Sequence, residues 1–335
     1  MKKGRNLMVV AMVLLLTMGM VFAEGSAEAQ ASKPAVEYLT FGGSDIGGLW
    51  FTEAATLTTQ WNADIPGIVW TVDTRGGGTA NAFWLATGKV AAALNNTPGI
   101  RAAMEGEGYF EEHGKQDFSN ARVFAALHRS YMTAVVKSDS SIKSFEDLRG
   151  KRIAVGQPGN SIQTVLPMIC DVMGWDYEND FKKEYIADYD AFDALRTGQI
   201  DAVVEWIGLG AGAFEEEFEN GGIRLLAMKE DTISKLSAKY PFYVGGTIAQ
   251  GAYKGQAETS VPFTQDFLTV QASMSDDVVY QMCKVLYDRL NDGTLISTHR
   301  AFNEAGFPAY IEKISLLELH DGAKKFYNEI GVVLD

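Results

Sequence analysis

The stretch VEYLTFGGSDIGGLW, residues 36–50, decides how the chain is read. Val36 to Phe41 reads as a short strand. It runs straight into Gly42-Gly43-Ser44-Asp45-Ile46-Gly47-Gly48, a glycine-rich turn. Beyond the turn, Trp50, Ala54, Leu57 and Trp61 recur at spacings of four, three and four, which sets them on one face of a helix. Strand, glycine turn and helix form one α/β unit, and the same order returns downstream. Ile68, Trp70 and Val72 alternate with more polar neighbours as a strand. Arg75-Gly76-Gly77-Gly78-Thr79 is the second turn, Thr79 to Ala86 the second helix, and Gly88 its stop. Val90 to Leu94 is a buried strand, and Asn95-Asn96-Thr97-Pro98 begins the next turn. This repetition predicts an α/β fold with a largely parallel sheet.

Working outward, Val123 to Leu127 and Thr133 to Val136 read as two strands around His128-Arg129-Ser130-Tyr131. Ser144 with Asp147 forms a capping box, closed by Gly150. Arg152 to Gly156 is a strand, and Gln157-Pro158-Gly159-Asn160-Ser161 turns into a helix toward Met173. Tyr189 to Leu195 is a helix stopped by Gly198, with a strand at Ile200 to Val204. A strand at Phe267 to Gln271 precedes helices at Asp276 to Leu290, Ile296 to Asn303 and Gly322 to Ile330. The helical end is too poor in strands for a third domain and is expected to pack on the first lobe. The expected organisation is a first lobe over 36–130, a second over 131–249, and a return to the first over 250–335. Two lobes joined by crossing segments leave a cleft, the usual place for a ligand.

The N-terminus has the pattern of a cleaved secretory signal over 1–23. Lys2, Lys3 and Arg5 precede an apolar run from Leu7 to Phe22, with Val21-Phe22-Ala23 offering small residues for cleavage. The run is short of the roughly 18 residues a membrane span needs. No cysteine follows it to carry a lipid, and residues 24–35 read as a flexible leader. The product is expected to be periplasmic or otherwise extracytoplasmic.

The 335 residues carry 29 Lys and Arg against 43 Asp and Glu, a net charge of −14. Three of the bases sit in the signal, so the remainder is more acidic still, and nucleic acid is excluded as a partner. A locally positive pocket stays open through an arginine or helix N-termini. The two cysteines, Cys170 and Cys283, lie in apolar helical stretches. Export permits a disulfide, while their settings favour buried thiols.

The glycine-rich turns share a position at the carboxyl ends of strands, where open α/β sheets bind ligands. Each opens a helix, whose N-terminal N–H groups are free to hold a carboxylate. Ser44, Thr79, Asn81, Asn95, Thr97, Gly159 and Ser161 fall there. Arg129, and with less claim Arg75, can pair with a carboxylate. Glu205 can receive an ammonium or hydroxyl, and Trp50 and Tyr131 can wall the ligand. No phosphate-binding loop or dinucleotide fingerprint is present. Ser161 lacks the second glycine of a nucleophile elbow. His113, His128, His299 and His320 are scattered without metal spacing. No cofactor or metal site is therefore expected.

Several pieces resemble the TAXI family of solute-binding subunits from TRAP transporters. They are Phe41 to Ser44 with Gly48-Leu49-Trp50, and Thr74 through Thr79-Ala80-Asn81. Asp147 to Gly156 with Pro158-Gly159, Ala194 to Ala202, and Leu319-His320-Asp321-Gly322-Ala323 through Tyr327 complete the set. They occur in order along most of the chain. The resemblance implies a two-lobed periplasmic-binding-protein-like fold that closes on a small organic anion or amino acid and delivers it to an integral membrane TRAP permease. It places the cleft near Ser44, Thr79, Asn81, Asn95, Thr97 and Ser161. Thr79 replaces the family's usual Ser, and Asn160 stands where Ser usually continues the Pro-Gly turn. Arg75 and His128 to Tyr131 also depart from it. A ligand-sensing subunit for a membrane signalling receptor shares the same capture step. A secreted enzyme acting on a small carboxylic acid would rest on Glu205 with Ser161.

Overall fold

The protein was analysed as a computed structural model that describes residues 36–46, 48–308 and 315–334. The signal and leader expected over 1–35 lie outside the described residues. The chain opens as its glycine turns predict. Strand β1 (Glu37–Gly42) leads into helix α1 (Leu49–Asp64), β2 (Ile68–Asp73) into α2 (Gly78–Ala86), and β3 (Ala92–Asn96) into α3 (Thr97–Glu105). The apolar face of α1 forms as spaced: Trp50, Ala54, Leu57 and Trp61 are all buried. Asn95 and Asn96 belong to the end of β3 rather than to a turn, and Asn96 caps α3 by accepting a hydrogen bond from the Gly99 backbone at 2.9 Å.

The next segment corrects the sequence reading. Residues Ala121–Lys137 form one strand, β4, not two strands around a turn. The chain stays extended through His128 to Tyr131 because Ser130 and Tyr131 are paired on both sides and Arg129 on one. One partner is β7 (Ala202–Gly208), where Ser130 meets Gly208; the other is β10 (Thr259–Gln271), where Arg129 meets Gln265. Between β4 and β7 come β5 (Arg152–Ala154), α4 (Ile162–Met173), β6 (Lys182–Glu184) and α5 (Asp188–Thr197). Beyond β7 lie α6 (Gly212–Asn220), β8 (Ile223–Leu225), α7 (Glu230–Lys239) and β9 (Val244–Ile248). After β10 the chain ends in α8 (Asp276–Asn291), α9 (Thr294–Thr298) and α10 (Asp321–Glu329).

The strands form one mixed sheet in the order β2-β1-β3-β10-β4-β7-β5-β6, with β8 on β4 and β9 on β10. β1 pairs in parallel with β2 and β3, and β5 with β6 and β7. β4 and β10 run antiparallel to every strand they pair with. The expected largely parallel sheet thus holds only at its two ends, because two long return strands cross its middle.

Buried apolar residues separate into two cores. One gathers Phe41, Trp61, Leu94, Phe124 and Phe267 with Leu286 and Phe326 of the C-terminal helices. The other gathers Val135, Ile153, Leu166, Phe192, Val204 and Phe214. β4 feeds both, through Val123 to Leu127 in the first and Tyr131 to Val136 in the second. This is a two-lobed α/β fold. Cys170 and Cys283 are free, buried and in different cores. Among the described residues no helix is long and apolar enough to cross a membrane.

Candidate functional site

A narrow cavity of about 80 Å³ lies where elements of both cores meet. The sequence dictates its walls. Four turns deliver helix N-termini to it: Ser44, Asp45, Ile46 and Gly48 before α1, Gly76 to Gly78 before α2, Gln157, Pro158, Asn160 and Ser161 before α4, and Ala187 to Tyr189 opening α5. β7 supplies Glu205 to Ile207 as the remaining wall. The glycines let the walls approach. A Cβ on Gly78 would stand 2.1 Å from Ser161 Oγ and 3.2 Å from the Trp50 ring. Ser44 Oγ accepts a hydrogen bond from the Phe51 backbone at 3.0 Å, which holds the first turn against α1.

The cavity carries acids. Glu205 is 2% exposed, and its carboxyl meets that of Asp188 with Asn160 alongside. Burial, then the Asp188 charge, pushes Glu205 well above the carboxylate range. Burial likewise raises Asp188 to about 6. Asp45, also in the wall, is raised by burial. No Lys, Arg or His lines the cavity among the described residues.

Of the residues picked from sequence, Ser44, Trp50, Ser161 and Glu205 line this cavity. Thr79 and Gly159 sit on the seam beside it. Thr79 Oγ1 lies 2.8 Å from Thr164 Oγ1, and the Ala80 backbone donates to Gly159 O at 3.3 Å. Asn96 Nδ2 donates to Ser161 Oγ at 3.2 Å across the same seam. Asn81 is fully buried and clamps backbone: its Nδ2 faces the carbonyls of Gly42, Gly43 and Leu94 at 2.9–3.1 Å. Asn95 Nδ2 donates to Thr269 Oγ1 at 2.9 Å, and Thr97 starts α3 as a buried residue. Arg129 is exposed, its guanidinium over the Phe263 ring at 4.8 Å. Tyr131 is buried and donates to Glu304 at 3.2 Å. Arg75 pairs with Asp73, its side chain 75% exposed.

Sequence reasoning passed over Asp45, Asn160, Asp188 and Tyr189. Asp188 at the start of α5 reads as ordinary first-turn acid, a placement the helix dipole favours anywhere. It also passed over a buried ion network behind Trp50. His128 Nδ1 stands 2.7 Å from Glu53 Oε1 and its Nε2 3.0 Å from Asp266 Oδ2, all three residues essentially inaccessible. The two carboxylates outweigh desolvation and raise His128 to about 10, so it is an imidazolium at neutral pH. Trp50 Nε1 and Ser130 Oγ donate to the same Asp266 oxygen at 2.9 and 2.5 Å. Gly208 makes room, since a Cβ there would lie 2.3 Å from the imidazole.

A mixed sheet crossed by two long strands, with a cavity among helix N-termini from both cores, is a two-lobed fold of the periplasmic-binding-protein type. The chain belongs to the NMT1-like family, whose model matches residues 41–331. Its fold is that of a Xanthomonas citri protein solved bound to ATP (13% identity, 88% of this chain and 99% of that one, TM-score 0.50). It is also similar to a putative L-cystine ABC transporter protein from Listeria monocytogenes (16% identity, 85% and 99% covered, TM-score 0.48). A third is the alkanesulfonate-binding protein of Xanthomonas axonopodis pv. citri bound to MOPS (16% identity, 91% and 96% covered, TM-score 0.47).

Proposed function

We propose that the chain is an extracytoplasmic solute receptor. It captures a small polar solute in the cavity, closes its lobes on it, and presents the closed form to a membrane permease. It performs no chemistry on the solute. The observation that carries this is the cavity itself: four helix N-termini and a buried acid from β7, contributed by both cores, converge on one small space. Binding there favours the conformation that joins the lobes.

The finer readings rest on sequence. The lobes are taken as 36–130 with 250–335, and 131–249. The partner is a TRAP permease by the TAXI-like pieces, and export follows from the signal pattern over 1–23. The solute is an organic anion or an amino acid, with Ser44, Trp50, Ser161 and Glu205 in contact and Thr79 and Gly159 at the closing seam.

The test is thermal unfolding of the chain from Glu24 onward, unfolded and refolded to strip any resident ligand. Amino acids, dicarboxylates, 2-oxoacids, amines and sugars form the panel, and small-angle scattering follows any hit. A ligand at a hundred times its dissociation constant adds about 2.7 kcal/mol, several degrees in the midpoint. A hit that also compacts the protein supports the receptor. Conversion of the hit during long incubation would make the chain an enzyme instead.

A further inference from the structure

We propose that the solute carries a protonated nitrogen, an ammonium or amidinium, seated against the Asp188 and Glu205 carboxyls with Asp45 completing the acidic wall. This rests on the cavity being the ligand site, and it narrows the class that site accepts.

α5 contributes Asp188 and Tyr189, β7 Glu205, and the turn before α1 Asp45; these are the titratable groups of the wall. The turns before α2 and α4 contribute none. Arg75 and His128 are committed elsewhere. Arg75 points into solvent on Asp73, and His128 is held between Glu53 and Asp266. A buried carboxylate is costly unless paired. Glu205 is 98% shielded, and its partners are a second carboxyl, the Asn160 amide and the Trp206 backbone N–H, with no cation among them. Two carboxyls in contact favour a shared proton: the Asp188 charge adds to burial in raising Glu205, while Asp188 is raised by burial and Asp45 and lowered by its hydrogen bond with Glu205. An incoming cation replaces the shared proton and satisfies both acids at once. A dicarboxylate would bring more negative charge against three acids. Trp50 and Tyr189 also line the cavity, and aromatic rings attract ammonium groups. The helix N-termini still offer N–H groups to a carboxylate, so amino acids qualify through their ammonium end.

The sign of the pH dependence separates the classes. A cation that displaces the shared proton binds more tightly as pH rises. An anion binds more tightly as pH falls, and a neutral polyol needs no proton movement.

The experiment titrates the refolded chain by calorimetry with ethanolamine, putrescine, glycine, lysine, arginine, succinate, 2-oxoglutarate and ribose at pH 5.5, 7 and 8. The expected result is binding confined to members bearing a protonated nitrogen. Affinity should rise tenfold or more from pH 5.5 to 8, with proton release seen as buffer-dependent heat. Glu205→Gln, nearly isosteric, should weaken binding at least tenfold and flatten the slope, with Asp188→Asn as the second variant and circular dichroism as the fold check. Binding of succinate, 2-oxoglutarate or ribose without any amine, or affinity that rises as pH falls, overturns the amine inference and leaves the receptor standing. Silence across the panel overturns both.

Discussion

The indole Nε1 of Trp50 donates to Oδ2 of Asp266 at 2.9 Å, and this bond ties the wall of the cavity to a strand that crosses the middle of the sheet. The same oxygen receives Ser130 Oγ and faces His128 Nε2. Asp266 also sits where β10 slips register against β4, between the Gln265 and Phe267 pairs.

Removing that carboxylate should be expensive. Asp266→Ala deprives three buried donors of their acceptor and leaves His128 with Glu53 alone. A loss of about 3–5 kcal/mol is expected, as for breaking a buried ion pair from one side. Urea unfolding at unchanged slope measures it. Trp50→Phe, in contrast, should keep most of the stability and lower ligand affinity, because it frees a ring that lines the cavity. If the two variants behave alike, the bond does not link frame to site.

Stability should fall on the alkaline side. His128 is raised from its ordinary 6.5 to about 10 in the folded protein, chiefly by Glu53 and then Asp266 against the cost of burial. Its folded value lies above its unfolded one. The contribution is therefore complete below pH 6.5, shrinks between 6.5 and 10, and is gone above 10. Glu53 is itself raised by burial, so the folded state holds extra protons there too, and the sign is the same. Urea midpoints measured from pH 6 to pH 10 should decline steadily. A flat profile over that range would mean that His128 is neutral in the fold.

Asn81 and Arg129 divide structure from binding in a way their residue types conceal. The Asn81 amide holds three backbone carbonyls around the first glycine turn from full burial. Asn81→Ala should cost about 2–3 kcal/mol of stability, since those acceptors are left unpaired. Arg129 lies on the surface over Phe263, so Arg129→Ala should change neither melting point nor affinity by more than a few tenths of a kcal/mol. Equal destabilisation of both, seen by thermal unfolding, would contradict this division.

The fold was legible where one period or one turn type spoke alone. The face of α1 and the glycine turns before α1, α2 and α4 all stand as read. The turns also led to the cavity, because their position at strand ends is a matter of topology. Three things escaped for physical reasons. The run from Val123 to Val136 looks like two strands because His128-Arg129-Ser130 interrupts it with polar residues. The burial of His128 and Ser130 is settled by Glu53 and Asp266, distant in sequence. The antiparallel course of β4 and β10 depends on long-range pairing that no local pattern encodes. Within the site, Asn81 and Asn95 have the chemistry of ligand contacts but spend it on carbonyls and on Thr269. Asp188 has the look of a helix-start acid and acquires its character only from Glu205 across the cavity.

The seam between the lobes supplies the last prediction. Thr79 of α2 and Thr164 of α4 place their hydroxyls 2.8 Å apart, with Thr79 Oγ1 also within 3.3 Å of Asn160 O. These bonds join one core to the other, so they exist only while the lobes are together. Thr79→Val keeps volume and β-branching and removes the hydroxyl. The lobe interiors are unaffected, and the melting point should drop by little. The closed arrangement loses the Thr164 bond, worth about 0.5–1.5 kcal/mol, together with the longer contact to Asn160 O. A ligand that needs closure must supply that difference, so its dissociation constant should rise about two- to tenfold. Thr164→Val removes the shared bond but leaves Thr79 its contact with Asn160 O, so it should cost no more than Thr79→Val, and the double variant should match Thr79→Val alone. Calorimetry on the three variants measures this coupling. Additive losses would mean that the hydroxyls act separately, and unchanged affinity in all three would mean that closure does not pass through this seam.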